Sequence, residues 1–224
     1  IDEAALQEAL DSGHVAGAAL DVFLEEPAKQ NPLFGHPKLV CTPHLGASTA
    51  EAQVNVAIQV AEQMADFLLN GAVVNALNMP SISAEDAPKL RPYLELAEKL
   101  GGFAGQITGS AIKALEISYE GQVAGLNIRP LSAVILAGLL RPLLETVNTV
   151  NAPQLACERG IDLAETKRDG TQTYRSLIKV RVKTEQRDRA ISGTLFEDGQ
   201  PRLVEVEGVP VDATLSQHML FVRN

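Results

Sequence analysis

The sequence predicts an α/β protein in two parts, and three observations carry that reading. Two short, nearly continuous apolar runs, VAGAALDVF (15–23) and KLVCTPH (38–44), follow a helical stretch and suit strands buried on both faces, as in a parallel sheet. A long helical pattern over 48–69 comes next. Beyond the linker-like NMPSISAEDAP (78–88), helices give way to alternating strands, which predicts an α+β part with an antiparallel sheet.

The elements follow in order. Asp2 can cap a helix with apolar residues at Ala4, Ala5, Leu6, Ala9 and Leu10, ending near Gly13. Ser48 and Glu51 read as a capping box for the long helix. There Val54, Ala57, Ile58, Ala61, Met64 and Leu68 share one face, and Asn70-Gly71 stops it. After the boundary near residue 80, helices are predicted over 89–107, 129–145 and 151–160, with Pro130 tolerable in a first turn. Strands are predicted over 114–121, 176–184, 189–197 and 201–208, with an Asp198-Gly199 hairpin between the last two. The tail HMLFVRN (218–224) also reads as a strand. The chain opens on IDEAALQEAL, already at a helix cap and without a methionine, so we expect a piece of a longer chain.

Composition narrows the class. The chain has 224 residues, 46% hydrophobic and 21% charged, ordinary for a globular protein. A net charge of −9 argues against nonspecific nucleic-acid binding. Most of it sits in residues 1–80, where two basic residues face ten acidic ones. Cys41 and Cys157 belong to no metal-binding pattern, which suits a reduced cytoplasmic compartment without a structural metal. The most apolar run, LSAVILAGLL (131–140), is too short to span a bilayer and reads as a buried helix.

The candidate chemistry lies at the ends of the two predicted parallel strands, the edge where open α/β sheets bind ligands. In TPHLGAST (42–49), His44 is a candidate proton donor and acceptor. Glu26, in ALDVFLEEP (19–27), is a candidate partner that would fix the ring and favour its charged form. Such a pair suits reduction of a ketone and oxidation of an alcohol. Asp21, ending its strand, can face a ligand or cap a local turn. His44 can equally serve as a cap or loop residue, and Glu26 as a solvated surface group.

GAALDVFLEEP followed by NPLFGHPKLVCTPHLGASTAEAQ resembles the end of the nucleotide-binding lobe of the D-isomer-specific 2-hydroxyacid dehydrogenases. The PHLGAST form is similar to the phosphoglycerate dehydrogenase branch of that family. The resemblance implies the C-terminal part of a Rossmann-like lobe with a crossing helix over residues 1–80. It implies that His44 is the acid–base residue and Glu26 its partner. It also implies that Asp21 contacts the nicotinamide end of NAD, and that the turn His44, Leu45, Gly46 and Ala47 lines the same cofactor. The substrate-binding arginine and the G-x-G-x-x-G turn of the family lie outside this sequence, so the chain alone is expected to be inactive.

EKLGGFAGQITG, LLRPLLE and TYRSLIKVRV in residues 81–224 resemble the intervening, allosteric substrate-binding-like domain of the long members of that branch. This implies 3-phosphoglycerate and 3-phosphohydroxypyruvate as substrate and product, a homo-oligomer (dimer or tetramer), an ACT domain downstream and an anionic effector. Arg175, with Lys167 and Arg168, is the basic group chosen for that effector; solvated surface charge is the plainer reading of all three. Two alternatives stay open. One is a regulatory or assembly module without catalysis, and the other is another D-2-hydroxyacid dehydrogenase, which the extension disfavours.

Overall fold

The computed structural model describes residues 1–170, 173–216 and 218–222. The chain divides into two compact units, Ile1–Met64 and Ala65–Asn224.

The first unit begins with helix α1 (Glu3–Asp11), capped by Asp2, whose Oδ1 accepts the Ala5 amide at 3.0 Å. The chain turns at Gly13 in a left-handed conformation (φ 76°), where a side chain would be strained. Strands β1 (Ala18–Leu20) and β2 (Leu39–Cys41) pair in parallel, with Leu20 opposite Cys41. They are parallel as predicted but not buried on both faces, since Val40 is 67% exposed. In a two-stranded sheet each strand has one neighbour, and little of either face is covered.

Helix α2 (Ala50–Asn70) crosses the division between the units. Its cap differs from the predicted capping box. The Ala52 amide donates to Thr49 Oγ1 at 3.1 Å, so Thr49 is the N-cap, while the Ser48 hydroxyl turns back to the His44 carbonyl at 3.2 Å. A cap satisfies the amide three residues on, and with the helix starting at Ala50 that position belongs to Thr49. Gly71 (φ 72°) ends the helix, its amide reaching the Phe67 carbonyl at 2.9 Å.

The second unit sets helices α3 (Ala87–Ile107) and α4 (Arg129–Leu140) against a six-stranded sheet. Its strands are β3 (Ile112–Gly121), β4 (Asp162–Arg168), β5 (Ser176–Thr184), β6 (Arg189–Leu195), β7 (Pro201–Val206) and β8 (Val209–Thr214), in the order β4-β3-β5-β6-β7-β8. The sheet is mixed rather than wholly antiparallel, because β4 pairs with β3 in parallel. Helices α4 and α5 (Ala152–Glu158) make the crossover that a parallel pair requires. β4 has no apolar period to betray it, and all seven of its residues are exposed along one edge. β8 forms the other edge, which tolerates its Pro210. It is joined to β7 through Glu207 and Gly208, both at positive φ (51° and 83°), the geometry that tight hairpins favour.

Two further expectations change. α4 stops at Leu140 rather than continuing to 145, since Pro142 has no N–H to offer the Gly138 carbonyl. No strand forms over 218–222, where the backbone is irregular and outside the sheet; residues 223 and 224 lie outside the described residues.

The core lies between the sheet and its helices. Leu115, Ile117 and Tyr119 of β3 and Ile178, Val180 and Val182 of β5 alternate inward and meet Leu96 and Leu100 of α3 and Leu131 and Ile135 of α4, all buried. Each such aliphatic side chain contributes about 1.5–3 kcal/mol when fully removed from water. Burial also covers Tyr119, whose phenol is pushed above its ordinary value. Its hydroxyl pairs with Ser132 Oγ at 2.7 Å. Ser132→Ala is expected to cost about 1–3 kcal/mol in urea unfolding, because it leaves a buried hydroxyl without a partner. The double variant with Tyr119→Phe should recover much of that loss. Equal losses in the single and double variants would show that the hydrogen bond is not the source.

Candidate active site

The site lies in the first unit, at the C-terminal ends of β1 and β2. The loop after β1 brings Glu26 back beside its own start: Glu26 Oε1 accepts the Phe23 amide at 3.0 Å. Glu3 of α1 holds the same loop, accepting the Leu24 amide at 2.9 Å and the Asn31 side-chain amide at 2.7 Å. The loop after β2 carries His44 in a left-handed backbone conformation, φ 56°. For a residue with a Cβ this costs roughly 1–2 kcal/mol, and the surrounding hydrogen bonds must supply it.

Eighteen residues apart in sequence, Glu26 and His44 meet. His44 Nδ1 lies 2.5 Å from Glu26 Oε2. The Phe23 amide, and then His44 itself, hold the Glu26 carboxyl below its ordinary value, so it is ionised at neutral pH. An ionised carboxylate only accepts, so the neutral ring places its proton on Nδ1. Nε2 then has a free lone pair and no hydrogen bond among the described residues. A cavity of about 490 Å³ opens beside the pair, walled by Phe23, Pro27, Phe34 and Pro43. The two phenyl rings meet edge to face, with centroids 5.3 Å apart.

Asp21 lies at the end of β1 and points its carboxylate into the turn after His44. Its Oδ1 accepts the Thr42 hydroxyl at 2.5 Å and the Leu45 amide at 2.6 Å, and its Oδ2 accepts the Gly46 amide at 2.7 Å. The Thr42 hydroxyl first, and then the Leu45 amide, lower its pKa. Ala47 continues the turn and is exposed. Sequence reasoning passed over Thr42, Glu3 and the Phe23 amide. Thr42 had one visible signal, its place two residues before the histidine. The other two are known only from where the loops fold.

The structure does not gather the three basic residues of the second unit. Arg175 is exposed, 3.4 Å from Glu197, and lines a cavity of about 730 Å³ with Tyr93, Gln122 and Phe196. Lys167 donates to the Leu126 carbonyl at 2.9 Å. Arg168 approaches Glu120 at 3.9 Å and lines a different cavity, of about 480 Å³. Lys167 and Arg168 are consecutive in a strand, so they face opposite sides of the sheet. Among the described residues, no group of three or more histidine, cysteine, aspartate or glutamate side chains is placed to hold a metal ion. Nor is any helix long and apolar enough to cross a membrane.

Comparison with known proteins bears on both units. Residues 1–46 match the NAD binding domain of the D-isomer specific 2-hydroxyacid dehydrogenases. Residues 89–207 match the D-3-phosphoglycerate dehydrogenase intervening domain, more than half of the chain. The chain belongs to the D-3-phosphoglycerate dehydrogenase family. It is 39% identical over 225 residues to D-3-phosphoglycerate dehydrogenase of Bacillus subtilis, covering all of this chain and 43% of that protein. The enzyme of the same name from Synechocystis is 40% identical over 223 residues, covering 99% of this chain and 40% of that protein. That of Archaeoglobus fulgidus is 37% identical, covering 99% and 42%. The chain thus spans less than half the length of these phosphoglycerate dehydrogenases.

Proposed function

We propose that this chain carries the acid–base part of an NAD-dependent dehydrogenase that oxidises 3-phosphoglycerate to 3-phosphohydroxypyruvate, the reaction that opens L-serine biosynthesis. The observation that carries the proposal is the Glu26–His44 contact at the ends of two parallel strands. The names of the relatives supply the substrate. Residues 1–80 are assigned to the end of the nucleotide-binding lobe and its return helix, and residues 81–224 to the intervening domain, in keeping with the two family matches.

The residues present fit the nicotinamide end of NAD. The apolar walls of the recess suit a planar ring, and the turn of Leu45, Gly46 and Ala47 lies next to the histidine. NAD, when bound, supplies the hydride acceptor. His44 does the complementary work: Nε2 takes the proton of the substrate hydroxyl as its carbon–hydrogen bond breaks. The ring becomes an imidazolium, and Glu26 balances the new charge while keeping Nδ1 turned away from the substrate. In the reverse direction the imidazolium returns the proton to the ketone oxygen.

The wider assignment includes a cytoplasmic compartment and a homo-oligomer, a dimer or tetramer. Its anionic effector rests on Arg175, exposed at the mouth of its cavity. The test is NAD reduction by a full-length enzyme containing this segment. 3-Phosphoglycerate should outrun lactate and glycerate, and equal rates with the unphosphorylated acids would sink the substrate assignment. Glu26→Gln in that enzyme should lower kcat, since the imidazolium formed in turnover loses its anionic partner, and should remove from the oxidation profile the fall that follows protonation of Glu26. Its pKa is below the ordinary 4.5, so the carboxylate is present throughout the neutral range and is lost only as pH falls through that lowered value. An unchanged profile would remove Glu26 from the pair.

A further inference from the structure

We propose that Asp21 and Thr42 form a clasp that positions His44, with the Asp21 carboxylate gripping the chain on both sides of the histidine. The proposal rests on the acid–base reading of His44 and explains how that residue is held.

The geometry begins with strand register. Leu20 lies opposite Cys41, and the Thr42 amide donates to the Leu20 carbonyl at 3.0 Å. The next residue of each strand is therefore brought alongside, Asp21 next to Thr42. From there the carboxylate takes one bond before the histidine, from the Thr42 hydroxyl at 2.5 Å. It takes two bonds after it, from the Leu45 and Gly46 amides at 2.6 and 2.7 Å. His44 is the peak of the loop so closed, and its φ of 56° is the conformation that lets Thr42 and Gly46 converge on one side chain.

Packing does not hold the histidine, since its side chain is 60% exposed. What fixes it is hydrogen bonding at two levels, Asp21 on the backbone and Glu26 on the ring. Both Asp21 oxygens are already engaged with this protein's own donors, short and charge-assisted. That is the arrangement of a group that shapes a turn. Gly46 belongs to the same device: a Cβ there would lie 3.1 Å from Asp21 Oδ2 and press on the carboxylate.

Three variants of a full-length enzyme test the clasp. Asp21→Asn replaces an acceptor with an NH₂ that faces backbone N–H groups. Thr42→Val deletes one bond at nearly constant volume, and Thr42→Ser keeps it. Displacing a reacting group by about 1 Å can cost about 10²-fold in rate. Asp21→Asn is therefore expected to lower kcat by about that factor and Thr42→Val by about tenfold, with Thr42→Ser close to the parent and KM for NAD little changed in the two Thr42 variants. A second readout needs no turnover. In the 224-residue chain, Asp21→Asn should move the Leu45 and Gly46 amide protons upfield and weaken the His44 Nδ1 proton signal, whereas Thr42→Ser should not.

A raised KM for NAD with kcat intact in Asp21→Asn would overturn the clasp and make Asp21 a cofactor contact. Unmoved Leu45, Gly46 and His44 resonances would overturn it as well. The dehydrogenase reading fails separately, if His44→Ala leaves turnover intact. The nuclear resonance shifts would then still decide the clasp.

Discussion

Replacing His44 by alanine in a full-length enzyme is expected to lower turnover of 3-phosphoglycerate by about 10²–10⁴-fold, the usual contribution of a positioned general base. The loss should fall on kcat more than on either KM, because the ring acts on the hydroxyl proton and its removal leaves the apolar walls of the recess in place. Steady-state kinetics with NAD and 3-phosphoglycerate measures it directly. His36 is the natural control. It is a histidine of the same unit whose Nε2 sits 3.2 Å from Asp11, and its replacement should leave turnover near normal. Near-normal turnover in His44→Ala would refute the acid–base role and leave the Glu26–His44 contact as a loop fastener.

The second large effect is expected where α3 crosses α4. Gly101 and Gly105 of α3 and Gly138 of α4 bring the two backbones together. A Cβ on Gly101 would fall 2.4 Å from the Ile135 carbonyl oxygen, one on Gly105 2.6 Å from that of Leu139, and one on Gly138 2.6 Å from the Gly102 amide nitrogen. The obstacles are backbone atoms of helices, which cannot swing aside as side-chain ends do. Gly101→Ala and Gly138→Ala should each destabilise the second unit by at least the roughly 1–3 kcal/mol of ordinary overpacking. Gly102→Ala should do the opposite. Nothing lies within 4 Å of a Cβ there, and alanine is favoured over glycine in a helix by about 1 kcal/mol. Urea midpoints at constant m decide the matter. The double variant Gly101→Ala/Gly138→Ala should cost less than the sum, since one separation of the helices relieves both clashes. A stabilising Gly101→Ala would show that the crossing is looser than these distances.

Much of the architecture was legible because it is written in local period and punctuation. The apolar run 131–140 is the buried α4, the alternation in SLIKVRVKT is β5, and Asp2 caps α1. β4 was not legible. As an exposed edge strand it buries no face, so selection for a core leaves no alternation in DLAETKR. The loss of the Ser48 cap to Thr49 is a shift of one residue, below what a motif can resolve. Lys167 and Arg168 look like a cluster in sequence because they are adjacent, and adjacency in a strand sends two side chains to opposite faces.

The sequence by itself singled out the candidate residues of the site: Glu26, His44 and the turn after it belong to motifs whose residue types and spacing are local. It also determined the helix–strand rhythm of both units, since periodicity needs no knowledge of partners. Only the tertiary structure decided what those residues touch. The parallel register of β1 and β2 turns Asp21 onto the backbone around His44, and the loop after β1 folds Glu26 back to the ring. It also decided that β4 joins β3 in parallel. Such pairings link positions from 18 to 48 residues apart, and nothing in the local chain encodes which donor will meet a given acceptor.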